Sequence, residues 1–150
     1  IFIELYPDHE LAVRCPGDLP AVRGDPALVR RVLVNLLDNA GKYAPAGSLV
    51  ELEVARRGDE LVATVTDRGP GVEEAELERL FEPFYRADSS RGRGAGGFGL
   101  GLAVCRKIAA AHGGRIEASR RPGGGLEVRL ALPVGNTRQH ARQPGENEGG

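Results

Sequence analysis

The stretch VLVNLLDNAGKYAP, residues 32–45, decides how the rest of the chain is interpreted. Its apolar residues and those just before it recur at helical spacing, which predicts a helix with one face wide enough to pack on a sheet. That face comprises Val29, Leu33, Leu36, Leu37 and Ala40. We therefore expect this helix to anchor the core.

A second edge of the same predicted helix is polar. Asn35, Asn39, Lys42 and Tyr43 recur at spacings of three and four residues, so their side chains emerge side by side. Asn is unfavourable inside a helix because its side chain competes for backbone hydrogen bonds. Two such residues one turn apart indicate a binding site; the alternative is a solvated polar edge with no function.

The ends of this helix are predicted from other residues. Asp25 can accept from the free N–H groups of the first turn, and Pro26 suits the first helical position. Gly41 weakens the helix and Pro45 prevents its continuation. The helix is therefore predicted to run from about residue 25 to about residue 43.

Composition restricts the classes of function. The chain has 150 residues, 41% of them hydrophobic, which is enough for one domain with a core. Its net charge is −1, and acidic and basic residues are interspersed, so we expect no nucleic acid partner and no anionic membrane surface. The spacing of Cys15 and Cys105 fits no metal site, and we expect both side chains to be buried in a reducing compartment.

The chain contains no apolar run of about 20 residues, the length needed to cross a bilayer, and no signal-peptide pattern. It begins with Ile1 and contains no Met, which leads us to expect a piece of a longer protein.

Alternating apolar residues predict the remaining elements. The predicted strands are 9–15, 21–23, a hairpin of 50–54 and 61–66 around Gly58 and Asp59, and a final hairpin of 116–118 and 126–132. A short helix is predicted at 73–80. A second helix should begin at Gly99, with Leu100, Val104, Ile108 and Ala111 on its apolar stripe. Residues 82–98 lack periodicity and are predicted to form a mobile lid, and residues 135–150 a disordered polar tail.

Three separated pieces point to one ligand. Besides the polar helix edge, these are the turn DRGPG at 67–71 and the glycine-rich run GFGLGLAV at 97–104. A helix start preceded by glycines presents N–H groups and a positive dipole end to phosphate. An Asn oxygen suits Mg²⁺, and a carboxylate after a strand can accept from the adenine amino group. Together they predict a pocket for Mg²⁺-ATP.

The chain resembles the catalytic ATP-binding domain of sensor histidine kinases, in the superfamily shared with gyrase B, mismatch-repair and heat-shock chaperone ATPases. The resemblance rests on four motifs in the family's order and spacing, and it extends from about residue 11 to 133. The motifs are NLLDNAGKYAP (35–45, N box), DRGPGV (67–72, first glycine box), LFEPFYR (80–86, F box) and GGFGLGLAV (96–104, second glycine box).

The resemblance implies an α+β fold for residues 1–134: a two-layer α/β sandwich of the Bergerat type, with a mixed, largely antiparallel sheet and about three helices on one face. It also implies a role for individual residues. Asn39 would ligate Mg²⁺, Lys42 would contact phosphate, Tyr43 would pack by the nucleotide and Asp67 would bind the adenine amino group. The other implied contacts are Gly69 and Gly71 at the adenine wall, Phe81 and Phe84 anchoring the lid, and Arg86, Gly97, Gly99, Leu100, Gly101 and Leu102 around the phosphates.

Asn35 separates the branches of this superfamily. The ATPase branches have a Glu there that activates water, whereas the kinase branch typically has Asn. A carboxamide cannot take a proton, so we expect Asn35 to be a catalytic-site residue of an enzyme that transfers the γ-phosphoryl group to a protein side chain.

The resemblance implies a phosphoacceptor histidine domain of the same parent protein as partner, a response regulator downstream and a homodimeric parent. The domain itself would be monomeric and cytoplasmic, and whether the parent is anchored in the inner membrane stays open. Alternatives are a serine kinase of the anti-sigma type, which usually has Glu at position 35, and a non-catalytic nucleotide-sensing module.

Some positions depart from the family pattern or have other interpretations. The departures are Arg68, Phe98 and Gly41, which stands where a larger apolar residue is usual. GRGAGG at 92–97 matches a dinucleotide-binding fingerprint, but no strand precedes it. His112 is predicted to end a helix as a favourable cation, and Asp38 to be a solvated helix residue.

Overall fold

The computed structural model describes residues 6–83 and 101–135. Most of the predicted lid and residues 136–150 of the predicted tail lie outside these ranges. Gly135, at the predicted start of the tail, donates its N–H to the carbonyl of Ala21 at 2.9 Å. The described domain therefore extends at least to residue 135.

Five strands form one mixed sheet in the order β1-β2-β3-β5-β4. Strand β1 pairs with β2 in parallel, and the other neighbours are antiparallel. The strands are β1 (Glu10–Arg14), β2 (Leu49–Arg57), β3 (Glu60–Thr66), β4 (Arg115–Arg120) and β5 (Leu126–Pro133). Both predicted hairpins are confirmed, whereas the predicted strand at 21–23 is reduced to a single bridge between Val22 and Val134.

Two α-helices are described, α1 (Pro26–Tyr43) and α2 (Gly101–Ala111). As predicted, Asp25 caps α1, its Oδ1 accepting from the N–H of Ala27 at 2.9 Å. The helix predicted at 73–80 is instead two consecutive 3₁₀ turns, Glu74–Glu76 and Glu78–Phe81. A segment of two turns makes too few backbone bonds to sustain an α-helix by itself. Among the described residues, no helix is long and apolar enough to cross a membrane.

The core lies between the sheet and these helices, with Leu36 and Ala40 buried as predicted. The most buried residue of α1 is Val32, which the predicted face omitted and which has 0% exposure. Val29, Leu33 and Leu37 pack against the core but are only partly buried. The buried face is thus rotated towards Val32, because α2 as well as the sheet packs on α1.

Packing against α1 also shifts the buried face of α2. Its buried residues are Ala103, Cys105, Ile108 and Ala109. Ala111, predicted to be on the apolar stripe, is exposed. The prediction for Cys15 was also wrong: this residue follows the edge strand β1, and its side chain is exposed.

His112 joins the end of α2 to the start of α1. Its Nδ1 donates to the carbonyl of Ile108 at 2.8 Å, and its Nε2 accepts from the N–H of Asp25 at 3.0 Å. His112 thus lies at the carboxyl end of α2, as predicted, and its ring also tethers this end to the start of α1.

Val32 and Val34 allow a matched test of this core. Val32→Ala removes two methyl groups from a fully buried site, and we expect the free energy of unfolding to fall by about 2–3 kcal/mol. Val34 is on the same helix but 41% exposed, so Val34→Ala should change it by less than about 0.5 kcal/mol. Urea unfolding of both variants checks this, and equal losses would contradict the packing described.

Candidate nucleotide-binding site

The carboxyl end of α1 lies directly against the turn that follows β3. A Cβ on Gly69 would lie 2.7 Å from the carbonyl oxygen of Tyr43, so a side chain at this position would separate the two. The predicted N box and first glycine box therefore meet through this glycine.

Asp67 is the one charged residue that is buried in the described chain, with 6% exposure. Its Oδ1 accepts from the N–H of Gly69 at 2.8 Å and from the N–H of Leu126 at 3.3 Å. Loss of water raises the pKa of the Asp67 carboxyl, and these two backbone hydrogen bonds and the charge of Arg121 oppose that rise. The carboxylate is thus held at a fixed place at the edge of the sheet.

Gly125 supports Asp67 from the last hairpin, a role that the sequence analysis missed. It has φ +111°, and a Cβ there would lie 2.0 Å from the carbonyl oxygen of Asp67. Gly71, predicted at the adenine wall, has φ +69°, and its Cβ would lie 3.1 Å from the carbonyl oxygen of Gly125. The three successive glycines at 123–125 were the available signal, because such a run permits close backbone approach.

The two carboxylate oxygens of Asp67 differ in their hydrogen bonds. Within residues 6–83 and 101–135, both hydrogen bonds to this side chain end on Oδ1. Oδ2 accepts neither of these two backbone hydrogen bonds. A buried acceptor of this kind is typical of sites that recognise a polar edge of a ring.

The polar edge of α1 has the predicted residues in the predicted order. Asn35, Asn39 and Tyr43 are partly buried and Lys42 is exposed. The ammonium of Lys42 lies 3.1 Å from Oδ2 of Asp38. Asp38 is therefore an ion-pair partner within the site rather than a merely solvated residue.

Asn35 lies beside α2. Burial raises the pKa of the Cys105 thiol to about 11, and a hydrogen bond from the Asn35 side chain opposes this rise. Asn35 is therefore close to Cys105, in the amino-terminal half of α2.

Two further predicted residues belong to α2. Gly101, the first described residue of this helix, is exposed, and Leu102 is partly buried against the core. Phe81 is buried, and the guanidinium of Arg106 lies 5.7 Å from its ring centroid. The other predicted phosphate and lid contacts, Phe84, Arg86, Gly97, Gly99 and Leu100, lie outside the described residues.

Comparison with known families identifies this arrangement. The profile of the family described as "Histidine kinase-, DNA gyrase B-, and HSP90-like ATPase" matches residues 24–136. The chain belongs to this family. The resemblance predicted from the four motifs is therefore confirmed, and so is the α+β fold that it implied.

Within the ATPase family, the chain is similar to sensor kinases. It is 44% identical over 127 residues to the sensor-like histidine kinase SenX3 of Mycobacterium tuberculosis, covering 85% of this chain and 31% of that protein. The structure is similar to that of the mycobacterial sensor histidine kinase MprB, with a TM-score of 0.79 and 28% identity over 89% of this chain and 88% of that one.

A third similar protein is full-length ShkA, whose structure was solved in complex with AMPPNP. Its TM-score is 0.74 and its identity 29%, over 91% of this chain and 29% of that one. Of the curated relative SenX3, the chain spans only about a third of the length.

Asp67→Asn tests the electrostatics of the buried carboxylate. The raised pKa means that the folded protein binds this proton more tightly than the unfolded chain does. The resulting stability is fully present below the ordinary pKa of Asp and is lost as pH rises through the raised pKa. Asn keeps the Oδ1 acceptor without the charge, so we expect it to stabilise the protein relative to wild type at about pH 7 but less at about pH 4.

Urea unfolding of both proteins at the two pH values measures this difference. An advantage of Asn that is the same at both pH values would show that the charge of Asp67 is not destabilising in the folded protein.

Proposed function

We propose that this chain is the catalytic domain of a two-component sensor kinase. It binds Mg²⁺-ATP and transfers the γ-phosphoryl group to a histidine on a separate phosphoacceptor domain of its parent protein. The observation that carries the proposal is the buried Asp67 carboxylate, with Oδ1 fixed by two backbone N–H groups.

Oδ2 of Asp67 would accept a hydrogen bond from the amino group of adenine. Fixing Oδ1 beforehand lowers the cost of ordering the site when the nucleotide binds. Gly69 and Gly71 would form the wall beside the base, and Tyr43 at the end of α1 would pack against the nucleotide. Guanine has a carbonyl where adenine has its amino group, so an ionised Asp67 would select adenine.

The α1 edge suits a magnesium ion that is held largely by the nucleotide. Among the described residues, no cluster of three acidic, His or Cys side chains is arranged to hold a metal. Mg²⁺ in nucleotide sites usually takes one or two protein oxygens and completes its shell with phosphate oxygens and water. The carboxamide oxygen of Asn39 would be the protein ligand, and Mg²⁺ would neutralise phosphate charge during transfer.

The remaining phosphate contacts would come from both helices. Lys42 would contribute a positive charge from α1. The N–H groups of Gly101 and Leu102 lie at the described start of α2, where a helix favours anions. Arg86, Gly97, Gly99 and Leu100 are proposed to complete this side of the site, and Phe84 to anchor the lid.

Asn35 is proposed to favour transfer over hydrolysis. A carboxamide cannot act as a general base for water. Catalysis would consist of positioning and charge neutralisation. SenX3 and MprB are both named as sensor histidine kinases, which favours histidine over serine as acceptor and a kinase over a non-catalytic sensing module.

The other partners follow from this assignment. We propose that the domain is monomeric and cytoplasmic within a homodimeric parent, and that a response regulator receives the phosphoryl group. Inner-membrane anchoring would be a property of other segments of the parent.

Calorimetric titration with a non-hydrolysable ATP analogue tests the site. We expect Asp67→Asn to weaken binding by at least about tenfold, because the amide would face the adenine amino group donor to donor. Asn39→Ala should remove most of the Mg²⁺ dependence of binding. Arg30→Ala, on an exposed position of the same helix, is the control and should leave affinity unchanged.

Unchanged affinity in a folded Asp67→Asn protein would contradict the adenine assignment. If the folded wild-type chain binds no nucleotide, the proposed function fails.

The acceptor is tested with the parent protein's phosphoacceptor domain and labelled ATP. We expect a phosphoryl product that is lost in acid and kept in base, as a phosphohistidine is. Hydrolysis of ATP by the isolated chain should be far slower than this transfer, because Asn35 cannot activate water. An acid-stable product would instead support the serine-kinase alternative.

A further inference from the structure

Residues 6–9, before the first strand, lie against the carboxyl end of α1, and Tyr6 contacts Gly41 of this helix. A Cβ on Gly41 would lie 2.7 Å from both Cδ2 and Cε2 of the Tyr6 ring. The ring therefore rests directly on the helix backbone, where any side chain would displace it. It occupies the place of the larger apolar residue that the family resemblance led us to expect at position 41.

Contacts of His9 hold this segment in place. The N–H of His9 donates to the carbonyl of Tyr6 at 3.1 Å, and its Nε2 donates to the carbonyl of Ala44 at 3.2 Å. The rings of Tyr6 and His9 also lie 5.7 Å apart, centroid to centroid. The tyrosine is thus tied to the end of α1 by the backbone on one side and by ring packing on the other.

The hydroxyl of Tyr6 is part of a chain of polar contacts that ends at Lys42. It donates to Oδ1 of Asp38 at 2.5 Å, while Oδ2 of Asp38 lies 3.1 Å from Nζ of Lys42. Each carboxylate oxygen therefore has a different partner, and rotation of the carboxylate would break both contacts. Burial first, and then the hydrogen bond to Asp38 and the charge of Asp38, raise the pKa of Tyr6. The phenol is protonated at neutral pH and can act as the donor.

We propose that Tyr6 is a positioning residue for nucleotide binding: its hydroxyl fixes Asp38 in the orientation that presents the Lys42 ammonium to the phosphates. The inference deepens the proposed function and rests on it, since it assumes that phosphate binds beside Lys42.

Packing alone does not account for the hydroxyl. The space above Gly41 is filled by the ring, so a phenylalanine would serve equally well there. The Asp38 and Lys42 side chains are 36% and 33% exposed, and an ion pair at that exposure restrains a flexible lysine only weakly. A third group that fixes the carboxylate lowers the cost of ordering Lys42 when the nucleotide binds.

The ion pair with Asp38 could have the opposite role and hold Lys42 away from the nucleotide, which would affect ATP binding differently. If Asp38 merely withheld Lys42 from the nucleotide, loosening the carboxylate would leave ATP binding unchanged or make it tighter. Measuring binding with and without the phosphates therefore separates the two roles.

Tyr6→Phe keeps the ring and removes the hydroxyl. We expect the affinity of the chain for a Mg²⁺-ATP analogue to fall by about threefold to tenfold, which is within the usual range for losing one hydrogen bond. Affinity for adenosine should not change, because adenosine has no phosphate. An equal loss for both ligands would indicate a merely structural role, and an unchanged or tighter ATP analogue would also overturn the inference.

Asp38→Asn and the double variant test whether the effect passes through Asp38. Once Asp38 is replaced, Tyr6→Phe should cause no further change in the ratio of ATP to adenosine affinity. Full additivity of the two changes would overturn the relay.

Gly41→Ala provides a second way to displace the ring, and we expect it to reduce ATP affinity selectively as well. Gly17→Ala is the matched control, because a Cβ at Gly17 meets nothing within 4 Å. It should leave both affinities unchanged. An equal effect of the two alanines on ATP would contradict the role of the Tyr6 ring.

Lysine NMR observes the same contact without nucleotide. The chain has only two lysines, Lys42 and Lys107, so labelling at Cε gives one signal for the site and one internal reference on α2. We expect Tyr6→Phe to shift the Lys42 signal and to leave Lys107 in place. An unmoved Lys42 signal would overturn the inference.

These results separate the two failures. If the folded wild-type chain binds no ATP analogue, both the proposed function and the positioning role of Tyr6 are contradicted. A chain that binds the analogue but shows no selective loss in Tyr6→Phe would end only the inference.

Discussion

The candidate site depends on the burial of one carboxylate. Asp67 directly follows the central strand β3 and is 6% exposed. Such burial is costly for a charged group. The backbone compensates part of this cost through the N–H groups of Gly69 and Leu126. Those two donors can reach Oδ1 only because the turn after β3 and the end of the last hairpin approach each other closely. The fold around Asp67 is therefore constrained by the need to solvate it.

That constraint explains why glycine surrounds the site. Gly125 brings the last hairpin within contact of the Asp67 carbonyl, and Gly69 brings the turn within contact of the Tyr43 carbonyl at the end of α1. Side chains at these positions would separate the strands and the helix, and Asp67 would then be open to water. The same contacts bring the carboxyl end of α1, at Tyr43, next to the turn.

On the other side of α1, glycine serves a different purpose. Gly41 costs the helix about 1 kcal/mol relative to Ala, yet its bare backbone accommodates the ring of Tyr6. The ring places a hydroxyl on Asp38, which in turn contacts Lys42. A departure from the family pattern is thus accompanied by a residue 35 positions earlier in the chain that fills the space above Gly41.

The sequence by itself determined the two α-helices, both hairpins and the order of Asn35, Asn39, Lys42 and Tyr43 along α1, because hydrophobic periodicity and capping act over a few residues. It did not determine the burial of Val32, the exposure of Cys15 or the contact of His112 with Asp25. These depend on which elements pack together, through contacts such as that between His112 and Asp25, 87 residues apart. Only the tertiary structure brought Gly125 to Asp67 and Tyr6 to Asp38, because close approach between distant segments leaves no periodic signal in the chain.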